Sequence, residues 1–229
     1  MMRTAFLVLL ALSLFAVPAS AQHSCYLLGF TGLDYEDPNP EPGTYLAIGE
    51  GYKALGFVTD FGPFLAPWVN PAVNEYTFYL YDLTVQDYYF DGSYLEVLFA
   101  NPGRGRYYQD SRTGGTPALY GVNPPNATAP STFTDGLMIL GGQITNMFLT
   151  YDFAANQGSF TGNILFDEGA LLFAIPPAQR DGWTISGLAG RPNETVPPGY
   201  EHQLSGETYV PGPTPAIRRT WGKIKSLYR

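Results

Sequence analysis

The sequence has few of the residues on which several kinds of chemistry depend. Its 229 residues include one cysteine, Cys25, and two histidines, His23 and His202. A single cysteine excludes an internal disulfide bond, so a hydrophobic core must hold the fold together. Nucleophilic triads need a histidine beside a serine or a cysteine. His23 and Cys25 stand close together near one end of the chain, and His202 lies in a proline-bordered segment. The sequence therefore argues against thiol or acyl-transfer catalysis.

Basic side chains are scarce in the body of the chain. Residues 22–217 carry all 20 acidic side chains and six basic ones, a net charge of −14, whereas residues 218–229 carry five basic side chains and no acidic one. Nucleic-acid-binding surfaces are basic, so the acidic body argues against nucleic acid as a partner. It is compatible with a solvated extracellular surface or with cation binding.

Long apolar runs are also missing. The longest lies near the start, in MMRTAFLVLLALSLFAVPASAQ, and extends from Ala5 to Val17. A membrane-spanning helix needs about 20 apolar residues. Because Arg3 precedes the run and small residues follow it, we predict a secretory signal peptide over 1–21, cleaved near Ala21. We expect a secreted or cell-surface protein with no transmembrane segment after signal removal.

The residues that are abundant predict an all-β fold. The chain has 26 glycines, 20 prolines and 15% aromatic residues, a composition typical of strands joined by turns. The stretch EYTFYLYDLTVQ alternates, and SYLEVLFA follows after an Asp-Gly pair that suits a tight turn. We predict a long hairpin over 75–100. The alternation places on one face Tyr79, Tyr81, Leu83 and Val85, and on the other Phe78, Leu80, Asp82 and Thr84.

Further strands are predicted along the rest of the chain. A meander of four apolar stretches covers 132–175, and Met147, Leu149, Tyr151 and Phe153 fall on one buried face of it. Weaker strand patterns occupy 25–31, 44–59, 182–189 and 200–209. Ten or so short strands with glycine and proline turns predict a single β-sandwich-like domain over 22–210, with an open barrel as the alternative.

The end of the chain has a different character. A proline-rich spacer over 211–216 leads into AIRRTWGKIKSLYR, where apolar residues recur at helical spacing over 217–229. We predict a short basic amphipathic helix there. It could be a sorting signal read by export machinery, a membrane-surface helix, a segment docked on the acidic body or a frayed end. The residues proposed for sorting are Arg218, Arg219, Trp221, Lys223, Lys225 and Arg229.

Three motifs carry a resemblance to a known type of protein. The stretch YGVNPPNATAPSTFTDG is followed by GSFTGNILFDEG, and the NPPN loop, the TFTDG strand opening and the GSFxG hairpin resemble secreted bacterial β-rich surface proteins over residues 76–175. The ending TWGKIKSLYR is similar to short C-terminal endings of exported proteins in some bacterial lineages. The resemblance implies export and a β-rich domain, without an established activity.

Acidic residues supply two weak site hypotheses. LDYEDPNPEPG crowds oxygen ligands into one segment, with calcium candidates Asp34, Glu36, Asp37 and Glu41, but it lacks the ordering of an EF-hand loop. An ordinary exposed acidic loop is the simpler interpretation, and no other cofactor is indicated. A pair of carboxylates could also hydrolyse glycosides. The strand candidates for that pair are Asp82, Glu96 and Asp152.

Tyrosine supplies the last hypothesis. The chain has 17 tyrosines, and an aromatic ring can stack on a sugar ring while its hydroxyl stays hydrated. Tyrosine also suits half-exposed strands that bind nothing. The clusters proposed for an extracellular glycan are Tyr88, Tyr89, Tyr107 and Tyr108.

These observations leave three hypotheses about function. The first is a non-catalytic secreted or surface-associated protein with a structural or adhesive role. The second is a carbohydrate-binding module that uses exposed tyrosines, and the third is a glycosidase-type enzyme with a carboxylate pair. A polar sheet surface would favour the first, an aromatic platform the second, and a groove with two facing acids the third.

Overall fold

The computed structural model describes residues 25–37, 47–120, 129–191 and 195–210. This part of the chain contains nine strands and one short α-helix, α1 (Ala129–Thr134). The strands are β1 (Cys25–Asp37), β2 (Gly51–Phe61), β3 (Asn74–Phe90), β4 (Tyr94–Phe99), β5 (Gly103–Ser111), β6 (Leu137–Asp152), β7 (Gln157–Glu168), β8 (Trp183–Ala189) and β9 (Gln203–Val210).

The strands form a closed antiparallel barrel. Strand β1 pairs with both β2 and β9, and the pairing continues through β3, β5, β6, β7 and β8 until the ring of eight strands is complete. The all-β prediction is confirmed, but the β-sandwich is wrong, because a sandwich has two separate sheets with free edges. The barrel alternative fits, and closure by the β1–β9 pair removes the edges that an open barrel would leave.

The ninth strand extends one side of the barrel. Strand β4 pairs with the far halves of β3 and β6, while β5 pairs with their near halves. Strand β3 changes its register against β2, and β6 changes its register against β7, at the level where the pairing passes from β4 to β5. Each change includes a residue with positive φ, Asp82 (55°) in β3 and Asn146 (53°) in β6. The Asn146 backbone N–H donates to Asn101 Oδ1 at 2.7 Å. The bulges bend this side of the sheet, as extra residues in a strand do.

The bulge at Asp82 changes which residues of β3 face inward. Tyr52 of β2 lies opposite Leu83, whereas Ala54 lies opposite Leu80, so two residues of β3 face one residue of β2. Leu83 and Val85 are therefore buried on the same side as Phe78 and Leu80. The prediction that the two pairs lie on opposite faces is wrong, because an inserted residue reverses the alternation beyond it.

Aromatic rings and glycines fill the middle of the barrel. The rings of Phe30 and Phe78 are 4.9 Å apart, and those of Phe30 and Phe160 are 6.2 Å apart. Neighbouring strands present glycines to these rings. A Cβ added to Gly32 would lie 2.8 Å from Phe78 Cζ, and one added to Gly206 would lie 2.7 Å from Phe30 Cζ. The missing side chains leave the space that the phenyl rings occupy.

One end of the barrel is closed by apolar side chains, and we call it the closed end. Segment 62–73 follows β2 there, and segment 169–182 follows β7. Leu65 and Ile175 from these segments are fully buried, as is Trp183 at the start of β8. The Trp183 ring contacts Phe64 and Phe166, and its Nε1 donates to the Gln179 carbonyl at 2.6 Å.

A second cluster of apolar side chains covers the outside of β1 and β2. Leu33, Tyr35 and Leu55 point away from the barrel interior and pack against residues of the β5–β6 and β8–β9 connections. The Thr77 hydroxyl donates to the Phe133 carbonyl at 2.7 Å, which ties one of these connections to β3. The partners from the connections are Ala118, Tyr120, Phe133, Val196 and Tyr200.

Other predictions vary in outcome. The hairpin over 75–100 is confirmed, with Gly92 at a positive φ of 99° in its turn. The weaker strand patterns correspond to β1, β2, β8 and β9. The four-stranded meander is wrong, since only β6 and β7 form there. The signal peptide, the spacer and the basic tail lie outside the described residues. Within the described part, no helix is long and apolar enough to cross a bilayer.

Candidate functional site

The end of the barrel opposite the closed end carries buried acidic groups. Here β1 ends, β2 begins and the chain enters β9. We call this cluster the acidic mouth, and it consists of Asp34, Glu36, Glu50, Tyr52, Glu201 and His202.

Asp34 is the centre of a hydrogen-bonded group in the acidic mouth. Its side chain is fully buried. Oδ2 accepts a hydrogen bond from the Tyr52 hydroxyl at 2.7 Å and lies 3.3 Å from Nδ1 of His202. Oδ1 accepts from the His202 backbone N–H at 2.6 Å. Burial and the neighbouring Asp34 carboxylate raise the pKa of Tyr52, so its phenol remains a donor. Asp34 thus joins β1, β2 and the start of β9.

Glu36 and Glu201 form a pair of carboxyl groups next to Asp34. Burial, the charges of Glu201 and Glu50, and a hydrogen bond with Glu201 raise the pKa of Glu36 to about 8. Burial and the charge of Asp34 raise the pKa of Glu201 to about 7, although His202 and the hydrogen bond with Glu36 act in the opposite direction. The pair therefore holds a shared proton near neutral pH, with Glu36 as the donor.

One oxygen of Glu36 is left without a partner. Glu36 is 3% exposed, and its Oε2 is the buried side-chain atom in the described ranges that makes no hydrogen bond. Buried carboxylate oxygens normally have a donor, and an unsatisfied one costs about 1–3 kcal/mol or more. Glu36 Oε2 is therefore a buried acceptor on a side chain that has acidic neighbours.

Two of the four predicted calcium candidates do not lie in an exposed loop. Asp34 and Glu36 belong to β1 and are buried inside the barrel. Asp37 is the last residue of β1, and Glu41 falls outside the residues that the structure describes. No three His, Cys, Asp or Glu side chains in the described ranges come together as a set of metal ligands. Calcium binding by the full predicted set stays a prediction.

A second feature lies on the outside of the sheet extension. It is a shallow groove of about 140 Å³, open to solvent, between the strands of the predicted hairpin and β6. Tyr88 is 44% exposed and Tyr89 is 59% exposed. We call this surface the tyrosine groove, and its lining residues are Asp87, Tyr88, Tyr89, Glu96, Leu98 and Phe148.

The other two predicted tyrosines are placed differently. Tyr107 is fully buried inside the barrel, where its hydroxyl lies 3.4 Å from Thr208 Oγ1. Burial raises its pKa to about 12. Tyr108 is 8% exposed. Neither ring presents a face to a ligand outside the molecule, because both support the core. The tyrosine groove therefore contains two of the four candidates.

The three carboxylates proposed for glycoside hydrolysis do not share a site. Asp82 is exposed at the bulge of β3. Asp152 accepts hydrogen bonds from the backbone N–H groups of Ala154 and Ala155 at 2.9 and 3.1 Å, so it shapes the β6–β7 turn. Of these three carboxylates, Glu96 alone lines the tyrosine groove. The other carboxylate of the groove is Asp87, which was not among the candidates.

Sequence reasoning missed most of the acidic mouth. Tyr52, Glu201 and Glu50 were not singled out, and His202 was considered only as a catalytic residue. A signal was present in β1, where Asp34 and Glu36 continue the alternation of the buried Phe30 and Gly32. That alternation places two acids on the inward face. The partners from β2 and β9 could not be read from it, because pairing between distant strands is not a local property.

Comparison of the chain with protein-family models, with curated proteins and with solved structures finds no match. The fold and the arrangement of these side chains are therefore the basis for assigning a function.

Proposed function

We propose that this is a non-catalytic, secreted or surface-associated protein with an adhesive role, and that it binds a neutral extracellular glycan in the tyrosine groove. The observation that carries the proposal is that Tyr89 is exposed on the same face of the hairpin as Glu96, with Tyr88 also lining the groove. Exposed aromatic side chains grouped in a depression are characteristic of binding surfaces.

The chemistry of the groove suits a sugar. One face of a pyranose ring presents C–H groups, which pack against the face of an aromatic ring. The carboxyl oxygens of Asp87 and Glu96 can accept hydrogen bonds from sugar hydroxyls. The apolar side chains of Leu98 and Phe148 lie at the same groove. A neutral glycan is favoured over an acidic one because both charged groups that line the groove are carboxylates.

The size of the groove supports binding at a surface and not enclosure of a ligand. Its volume of about 140 Å³ is below the roughly 300–1,000 Å³ typical of pockets for small molecules. Such a groove accommodates one or two sugar rings of a longer chain, and contacts of this extent give weak binding. Weak sites of this kind suit adhesion to a repetitive glycan, where many contacts act together.

The hairpin holds the tyrosines on a rigid support. Asp91 in the turn accepts hydrogen bonds from the backbone N–H groups of Ser93 and Tyr94 at 2.9 and 2.8 Å. On the inner side of the sheet, Phe90 packs against Phe153 with ring centroids 5.7 Å apart. A tyrosine on a preorganised hairpin loses little conformational entropy when a ligand binds.

The test is a glycan-array screen of the mature protein, followed by calorimetry with the best neutral glycan. We expect Tyr89→Ala to weaken binding about three- to tenfold, because it removes the stacking contact. Tyr88→Ala should weaken binding less, because neighbouring residues of a strand point to opposite faces. Trp68→Ala is the matched control, since Trp68 is 55% exposed and lies at the closed end. Failure to bind any neutral glycan, or equal binding by all three variants, would overturn the proposal.

A second candidate function rests on the same groove. Asp87 and Glu96 are two carboxylates at a site that would hold a sugar, and glycoside hydrolysis uses such a pair. The bound glycan should then be cleaved over time, and Glu96→Gln should prevent cleavage while binding persists. An intact glycan after prolonged incubation would leave binding alone as the function.

A further inference from the structure

The acidic mouth concentrates negative charge from three segments of the chain. Asp34 and Glu36 come from β1, Glu50 precedes β2, and Glu201 precedes β9. The charges of Glu50, Asp34 and Glu201 all act on Glu36. His202 is the basic group that acts on Glu201 there, and it is already held by Asp34. A cluster of acidic groups of this kind attracts a cation.

The orphaned oxygen of Glu36 indicates where the cation would bind. Oε2 is buried and has no hydrogen-bond partner within the described residues, and the carboxyl group as a whole interacts with Glu201. Glu50 Oε2 accepts from the Ala47 backbone N–H at 2.5 Å. An added donor at Glu36 Oε2 would satisfy an acceptor that the protein itself leaves unsatisfied.

The geometry favours a donor of hydrogen bonds over a metal ion. Calcium requires six to eight oxygen ligands at about 2.3–2.6 Å, and no three acidic, histidine or cysteine side chains in the described ranges converge in that way. An ammonium group makes its contacts at about 2.7–3.2 Å and needs only three acceptors. The acidic mouth, which has no such set of metal ligands among the described residues, therefore suits an organic cation better than calcium.

We propose that the acidic mouth binds a primary ammonium group, with Glu36 Oε2 as its first acceptor and the Glu50 and Glu201 carboxylates as its other negative neighbours. The ring of Tyr52, packed on Phe99 with centroids 5.2 Å apart, forms an apolar wall beside the cluster. The His202 side chain keeps 22% of its surface exposed, so solvent reaches this member of the cluster. The ammonium group could belong to a free small amine or to a lysine side chain of a partner protein.

The experiment is calorimetric titration of the mature protein at pH 8.5 with putrescine, and separately with Nα-acetyl-lysine amide. At this pH Glu36 and Glu201 are largely ionised, given their pKa values of about 8 and about 7, while an alkylamine stays charged because its pKa is about 10. We expect saturable binding, at least tenfold weaker at pH 5.5, where protons occupy the carboxyl pair. Binding of putrescine alone indicates a free amine as the ligand, and binding of both probes indicates recognition of lysine.

Two controls keep the test specific. Tetramethylammonium carries the same charge without N–H donors, so it should not bind. Glu36→Gln should abolish amine binding, whereas Glu96→Gln, which alters a carboxylate of the tyrosine groove, should leave it unchanged. If Glu36→Gln fails to fold, Glu201→Gln serves in its place and should weaken binding at least tenfold. The proposal would be overturned if tetramethylammonium gave the same binding heat as putrescine. It would also be overturned if a folded Glu36→Gln or Glu201→Gln protein bound the amine as tightly as the parent protein. Neither result depends on whether the tyrosine groove binds a glycan.

Discussion

The closed end and the acidic mouth use the interior of one barrel in opposite ways. At the closed end, Trp183, Leu65 and Ile175 are fully buried among apolar neighbours, and the one polar atom of the Trp183 ring has an acceptor. In the acidic mouth, Asp34 is just as buried but depends on Tyr52 and His202 for its hydrogen bonds, and Glu36 keeps an unsatisfied oxygen. The closed end stabilises the fold, whereas the mouth costs stability, and such a cost is characteristic of binding sites.

The largest effect is expected at the closed end. Trp183→Ala removes a fully buried ring that contacts Phe64 and Phe166. Truncation of a buried aromatic residue leaves a cavity, and we expect a loss of about 3–5 kcal/mol in the free energy of unfolding, measured by urea denaturation. Trp68→Ala removes a half-exposed ring that packs against Phe173 and should cost about 1 kcal/mol or less. Equal losses in the two variants would contradict the assignment of the closed end as core.

A smaller effect is expected from the hydrogen bonds of the mouth. Tyr52→Phe removes the hydroxyl that donates to buried Asp34 at 2.7 Å. A hydrogen bond to a charged group contributes about 1.5–3 kcal/mol, so the variant should lose that amount in urea denaturation. Tyr26→Phe is the control, because Tyr26 donates to the exposed Asp60 and should lose about 1 kcal/mol or less. If Tyr52→Phe leaves the free energy of unfolding unchanged, Asp34 must accept a hydrogen bond from another donor.

The third effect is a dependence of stability on pH. The pKa of Glu36 is raised from 4.5 to about 8 in the folded protein, so the native state binds the proton more tightly than the unfolded chain. This contribution is complete below about pH 4.5 and disappears as the pH rises through 8. We expect the melting temperature to fall between pH 5 and pH 8.5. Each kcal/mol corresponds to about 2–4 °C in a domain of this size.

Glu36→Gln should flatten that pH profile, because glutamine stays neutral throughout the range. At pH 8.5 the variant should melt at a higher temperature than the parent protein, and at pH 5 the two should be similar. Glu96→Gln in the tyrosine groove provides the comparison and should keep the parent's profile. A Glu36→Gln protein with an unchanged slope would show that other groups carry the pH dependence.

The local features of the fold were predictable from the sequence. Alternation and the Asp91-Gly92 turn identified the β3–β4 hairpin, since both depend on neighbouring residues. The faces of β3 were assigned incorrectly beyond Asp82, because a bulge is decided by the partner strand. The tyrosines of the groove were visible as clusters in the sequence. The burial of Tyr107 could not be predicted, because it depends on which strands pair with β5.

The acidic mouth shows the limit of sequence reasoning more sharply. Asp34 and Glu36 were singled out as oxygen ligands in a crowded acidic segment, which is a local observation. His202, whose backbone N–H bonds to Asp34, is 168 positions away. Its proximity follows from the β1–β9 pair that closes the barrel. No pattern within either strand specifies the other as its partner.

The sequence by itself determined that this protein folds from strands and turns, holds together without a disulfide and presents an acidic, tyrosine-rich body. Those properties depend on composition and on the period of two along each strand. Only the tertiary structure decided that the sheet closes, that the bulges at Asp82 and Asn146 turn side chains inward, and that carboxyl groups from β1 and the start of β9 meet in one buried cluster. Closure and register depend on contacts between strands that are far apart in the sequence. The free energy of these contacts comes from the whole barrel, so no single segment specifies them.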